Sequence, residues 1–180
     1  MFRNREEAGR TLAEKLSHYR NDPTGLILAL PRGGVAVGYQ LSLALHIPMD
    51  VFITRKIGAP GNPEYAIGAI AETGARSLSQ EAIGSFDLSR HELERLIHAQ
   101  EKEIARRRDL YRQGRPLPQL TDRTLFLVDD GIATGSTFMA SVLAIRSLQP
   151  RRVVGVIPVA PPSTMREVRA HGDELVQLTT

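Results

Sequence analysis

The sequence predicts an α/β fold: a mostly parallel sheet flanked by helices, in one domain over residues 1–180. Three observations carry this. Short apolar runs of β-forming residues recur at Gly25–Leu30, Met49–Ile53, Leu125–Val128 and Arg152–Val159. Amphipathic helical stretches fall between most of them, and strands that alternate with helices pair in parallel. A chain of 180 residues, 42% apolar and 24% charged, is long enough for one such domain and short for two.

Taken in order, Asn4 to Tyr19 reads as a helix. Asn4 caps it, Glu7 follows three residues on, and Ala8, Leu12, Ala13 and Leu16 form one stripe. Asn21-Asp22-Pro23 stops it. The strand Gly25–Leu30 runs into Pro31-Arg32-Gly33-Gly34 and a helical stretch, Val35–Leu45. Paired glycines allow positive φ and close backbone approach, and Arg32 supplies a permanent forked cation, so this turn can hold an anion. After the strand Met49–Ile53 and the basic pair Arg55-Lys56, residues 57–65 are rich in Gly and Pro and show neither helical nor strand period. Ala66–Ala71 can pair as a strand behind them, and Glu72–Gly84 gives no readable pattern. Ser89–Gln113 is the longest helical stretch, with a Ser89/Glu92 capping box and Gly114 at its stop. Its Arg106-Arg107-Arg108 run reads as a solvated face near a helix C-terminus. The chain closes with a short helix, Ser163–His171, and a strand, Glu174–Leu178.

The most informative stretch is Thr124–Thr137, TLFLVDDGIATGST. A buried strand ends in two carboxylates, Asp129 and Asp130. A loop of small residues follows, and Ser136 and Thr137 open an amphipathic helix. Unpaired amides at a helix start attract an anion, and the small residues Ala133, Thr134, Gly135, Ser136 and Thr137 let a phosphate reach them. The carboxylates would repel that phosphate, so they suit sugar hydroxyls or a divalent metal. Together the parts suit a phosphorylated sugar such as ribose 5-phosphate. An Asp-Gly hairpin turn at 130–131 is the competing reading, but a helical pattern rather than a second strand follows it. A P-loop would need lysine where Ser136 stands.

These residues resemble the PRPP-binding motif of type I phosphoribosyltransferases: four apolar residues, two acids, a short linker, then Thr-Gly and hydroxyl residues. The likeness runs from about residue 24 to 160 and is nearest to a bacterial group whose acceptor is unassigned. It implies that Ala133–Thr137 bind the 5-phosphate and that Asp129 and Asp130 hold the ribose hydroxyls, with Mg2+ carried mainly by PRPP and the two acids as its candidate protein ligands. It further implies that Arg32, Gly33, Gly34, Arg55 and Lys56 bind the pyrophosphate. Asp129, Asp130 and Arg32 are then the catalytic candidates. A cis peptide entering Arg32 and a mobile loop near 55–65 belong to the same resemblance, as does a further aromatic-containing segment beyond Thr180. The implied activity is transfer of a phosphoribosyl group to a nitrogenous base or amine, with release of pyrophosphate. The alternative on the same fold is a non-catalytic PRPP or nucleotide-binding regulator.

Composition narrows the classes. The chain has no cysteine, which excludes disulfides and thiolate chemistry. His46 and His91 have no supporting context as a general base, and no histidine pair has zinc spacing. Net charge +3 suits polyphosphate but is too small to argue for nucleic acid. No signal peptide or membrane-length apolar run is present, so a cytoplasmic protein is expected, with a homo-oligomer left open.

Overall fold

Five strands hydrogen-bond in parallel, in the order β2-β1-β6-β7-β8. They are β1 (Gly25–Ala29), β2 (Met49–Val51), β6 (Thr124–Val128), β7 (Arg152–Val159) and β8 (Glu174–Thr179). The structure is a computed structural model and describes residues 3–132 and 135–179. The chain forms two compact units. The first comprises Met1–Phe52, Pro118–Gly135 and Ile145–Thr180; the second comprises Ile53–Leu117 and Ser136–Ala144.

The first unit holds the parallel sheet. All five residues of β1 and of β6 are buried, as expected of central strands covered on both faces. One face is packed by α1 (Arg5–Lys15) and α2 (Gly33–Leu45). Leu12, Leu16, Val37, Leu41 and Leu45 meet Ile27, Phe126, Val154 and Val156 in one cluster. Asn4 caps α1 by accepting the Glu7 amide at 2.9 Å. The predicted helix to Tyr19 is shorter than expected: it ends at Lys15 and a 3-10 turn covers Ser17–Tyr19. On α6 (Pro162–His171), Met165 and Val168 are buried.

The second unit holds an antiparallel sheet, β3-β4-β5. Here the structure departs from expectation. Residues 57–65, read as a loop, belong to a hairpin of β3 (Thr54–Ala59) and β4 (Asn62–Ala71). Its register shifts on both sides of Gly58, and Gly61 turns the chain at φ 72°. A bulge breaks period-2 alternation, which is why the pattern hid a strand. The unreadable stretch after it forms β5 (Arg76–Leu78) and α3 (Gln80–Ser85), the latter capped by Ser79. The long helix α4 (Arg90–Arg112) has the expected capping box: Ser89 Oγ accepts the Glu92 amide at 3.2 Å and Glu92 accepts the Ser89 amide at 3.0 Å. Ile97 and Ile104 are buried, whereas Leu110 is exposed. Arg106 and Arg107 both bond Glu103 at 2.8 Å and hold its carboxyl down at about 2.

A buried ion pair lies within this unit. Arg112, at the end of α4, forks onto Glu72, just past β4, with side-chain exposures of 0% and 2%. Glu72 also accepts the Ile53 amide at 2.9 Å. One carboxylate thus ties a hairpin, the entry to β3 and a helix end. In the same unit the Ser141 hydroxyl, on α5 (Ser136–Arg146), bonds the Thr54 hydroxyl at 2.7 Å.

Candidate functional site

Within the parallel sheet, β1 leads through α2 to β2 on one side, whereas β6 leads on to β7 on the other. Adjacent strands whose connections diverge leave a crevice beyond their carboxyl ends, where ligands of open α/β sheets bind. The two loops singled out in the sequence are those that leave β1 and β6. Hydrogen bonds beyond the strand ends fix them: the Leu30 amide donates to Val128 O at 2.8 Å and the Asp129 amide to Val156 O at 3.3 Å.

The β1 loop carries a cis peptide bond between Pro31 and Arg32, at the position the resemblance implies. Arg32 is exposed at the start of α2. The paired glycines serve close approach alone, because neither has positive φ. A Cβ on Gly34 would lie 2.5 Å from Val128 O, and one on Gly33 would fall inside the Asp130 carboxylate. The glycine pair is therefore the socket into which the β6 loop packs. The Gly34 amide is already committed to Leu30 O at 3.0 Å, whereas those of Arg32 and Gly33 have no partner among the described residues. Of the Gly33–Gly34 backbone named for pyrophosphate, Gly33 thus offers the open donor.

The two acids differ. Asp129 is largely buried at the sheet edge. Burial pushes its carboxyl up to about 7, and the charge of Asp130 adds to the rise. The Asp130 amide donating to Asp129 Oδ1 at 2.9 Å acts the other way. Asp130 is more open and takes a counter-ion: Arg5 Nε, from the first turn of α1, bonds its Oδ2 at 2.6 Å. Sequence reading missed Arg5, because it lies 125 positions away and no local pattern marks it.

Of the small-residue loop, Ala133 and Thr134 lie outside the described residues. Ile132 is held by its amide to Val159 O at 3.0 Å. Gly135 is buried with φ 79°, and a Cβ there would collide with the Thr164 side chain on α6. Glycine is needed at 135 by backbone conformation and packing, before any ligand arrives. Thr164 is a second neighbour that the sequence did not reveal. Ser136 and Thr137 form the first turn of α5, as expected.

Arg55 and Lys56 are in the second unit, on β3. Sequence neighbours on a strand point to opposite faces. Arg55 Nε bonds Gln100 on α4 at 3.1 Å, and Lys56 Nζ reaches Glu64 on β4 at 3.3 Å. The two cations therefore make separate contacts, one with α4 and one with β4. Partial burial lowers the proton affinity of the Arg55 guanidinium.

A parallel sheet with a glycine socket and an acidic, small-residue loop meeting at its switch point places the chain in the class of open α/β proteins. The chain belongs to the phosphoribosyl transferase domain family, which matches residues 2–179. A protein of two Mycobacterium tuberculosis strains, provisionally named a phosphoribosyl transferase, is 36% identical over 180 residues, all of this chain and 40% of that protein. The chain therefore spans less than half the length of these curated relatives. Among solved structures, TT1426 from Thermus thermophilus is 38% identical with a TM-score of 0.80, covering 99% of this chain and 84% of that one. The purine phosphoribosyltransferase from Pyrococcus horikoshii shares the fold, at 19% identity and a TM-score of 0.55, over 98% of this chain and 82% of its own. Among the described residues, no helix is long and apolar enough to cross a membrane.

Proposed function

We propose that the protein binds PRPP and transfers its phosphoribosyl group to a nitrogenous base or amine, releasing pyrophosphate. The observation that carries this is the packing of Asp129–Asp130 against Gly33–Gly34 at the β1/β6 switch point. It sets side by side the two loops to which this reading assigns the sugar and the diphosphate.

In this reading the loop Ala133–Thr137 receives the 5-phosphate. Asp129 and Asp130 accept from the ribose hydroxyls and face the oxocarbenium-like carbon as positive charge develops on it. Arg32 and the Gly33 amide receive the charge that builds on the leaving diphosphate.

Two adjacent carboxylates, one tied to an arginine, make a sparse donor set for a metal. Such a set fits a hydrated Mg2+ bound chiefly through phosphate oxygens, since this ion keeps several of its waters. Asp129 and Asp130 would hold it, and when bound it neutralises the diphosphate and eases its departure.

Titration with PRPP and with ribose 5-phosphate, with and without Mg2+, tests the reading. A catalyst prefers PRPP and needs the metal, and a panel of nitrogenous acceptors then yields Mg2+-dependent pyrophosphate. Equal binding of both sugars would leave the regulator reading instead.

A further inference from the structure

Arg5 is the first residue of α1 and contacts Asp130 through Nε alone, at 2.6 Å. Its side chain is 61% exposed, and its two terminal nitrogens make no hydrogen bond among the described residues. The guanidinium is thus held at one corner while its outer donors stay unspent. A carboxylate anchor combined with open N–H groups is the arrangement a fork needs to grip a second, diffusible anion.

Two further facts argue against a purely structural pair. A cation in the first turn of a helix opposes the helix dipole, and α1 otherwise follows the rule with Glu6 and Glu7 there. An exposed ion pair adds little to stability. Local misfits of this kind gather where function demands them. The charge balance points the same way. At this edge of the first unit Arg5 joins Arg32 as a second guanidinium beside two carboxylates, and a diphosphate that Mg2+ offsets only in part can draw on both.

We propose that Arg5 is a further ligand-binding residue of this edge: tethered by Asp130, it receives the diphosphate arm of the pentose substrate. The inference rests on the PRPP reading above. Because Asp130 holds Arg5 by one nitrogen, the same acid serves the sugar with its remaining oxygen and aims the cation with the other.

Calorimetric titration of the full chain with PRPP and, separately, with ribose 5-phosphate, both in Mg2+ buffer, tests it on wild type, Arg5→Gln and Arg5→Lys. Arg5→Gln should weaken PRPP binding about 10- to 100-fold while leaving ribose 5-phosphate within about twofold. Arg5→Lys should recover part of the loss, and the melting temperatures of all three should agree closely. Unchanged PRPP affinity in Arg5→Gln would overturn the inference. So would equal losses on both ligands, which mark a residue that only positions Asp130, or tighter binding, which marks a plug. Wild type that does not distinguish the two sugars would overturn the PRPP reading itself.

Discussion

The protein contains two arginine–carboxylate pairs that are chemically alike and physically opposite. In the second unit Arg112 and Glu72 meet through two contacts at 0% and 2% side-chain exposure. In the first unit Arg5 and Asp130 meet through one, at 61% and 25%. The buried pair cannot exchange partners, because its side chains are shut off from solvent and the Ile53 amide occupies the same carboxylate. Its work is folding. The exposed pair faces solvent, loses little when opened, and sits beside the loops that leave the sheet. Burial thus commits one pair to architecture, and exposure leaves the other available to a ligand.

Mutations can break this contrast. Arg112→Met strands a buried carboxylate and should cost about 3–5 kcal/mol in chemical denaturation; a loss no larger than that of Arg5→Gln would erase the distinction. Asp130→Asn should lower PRPP-dependent pyrophosphate release about a hundredfold or more. Its melting temperature should shift by no more than about 4 °C. Retained release would remove Asp130 from the site. Asp129→Asn should act on stability through pH. The folded-state carboxyl sits near 7, above its unfolded value, so wild type loses stability as pH rises from about 4 through 7. Without ligand, the variant should match wild type near pH 4 and exceed it by on the order of 2 kcal/mol at pH 8. Parallel pH curves for the two proteins would contradict the burial of that charge. Gly34→Ala should cost about 1–3 kcal/mol, because its methyl would press on Val128 O, a backbone atom with nowhere to move. Smallest of all, Arg5→Gln should change unfolding free energy by less than about 1 kcal/mol.

The sequence was legible where structure is local. Leu125–Val128 read as a buried strand because four adjacent apolar residues need no partner to be recognised, and the Ser89–Glu92 box because its bonds span three residues. Asp129, Asp130, Arg32 and the glycine pair followed from motif order. The hairpin at 54–71 was hidden by the bulge at Gly58 and by an outer end, residues 60–65, that is exposed throughout and so lacks alternation. Glu72 and Arg112 are 40 positions apart, and Arg5 and Asp130 are 125 apart. Nothing in a window of residues announces such partners; only the topology brings them together. Of the two reasons offered for the paired glycines, close approach holds and positive φ does not: the demand there is room.

That room has an evolutionary consequence. The space filled by the Asp130 carboxylate is the space a methyl group on residue 33 would claim. The two positions are therefore heritable as a unit. A lineage that acquires alanine at 33 must also shorten, move or abandon the acid at 130, and one that abandons that acid is released from glycine. Descendants of this chain that have lost the acid should be found drifting at both sites together, seldom at one.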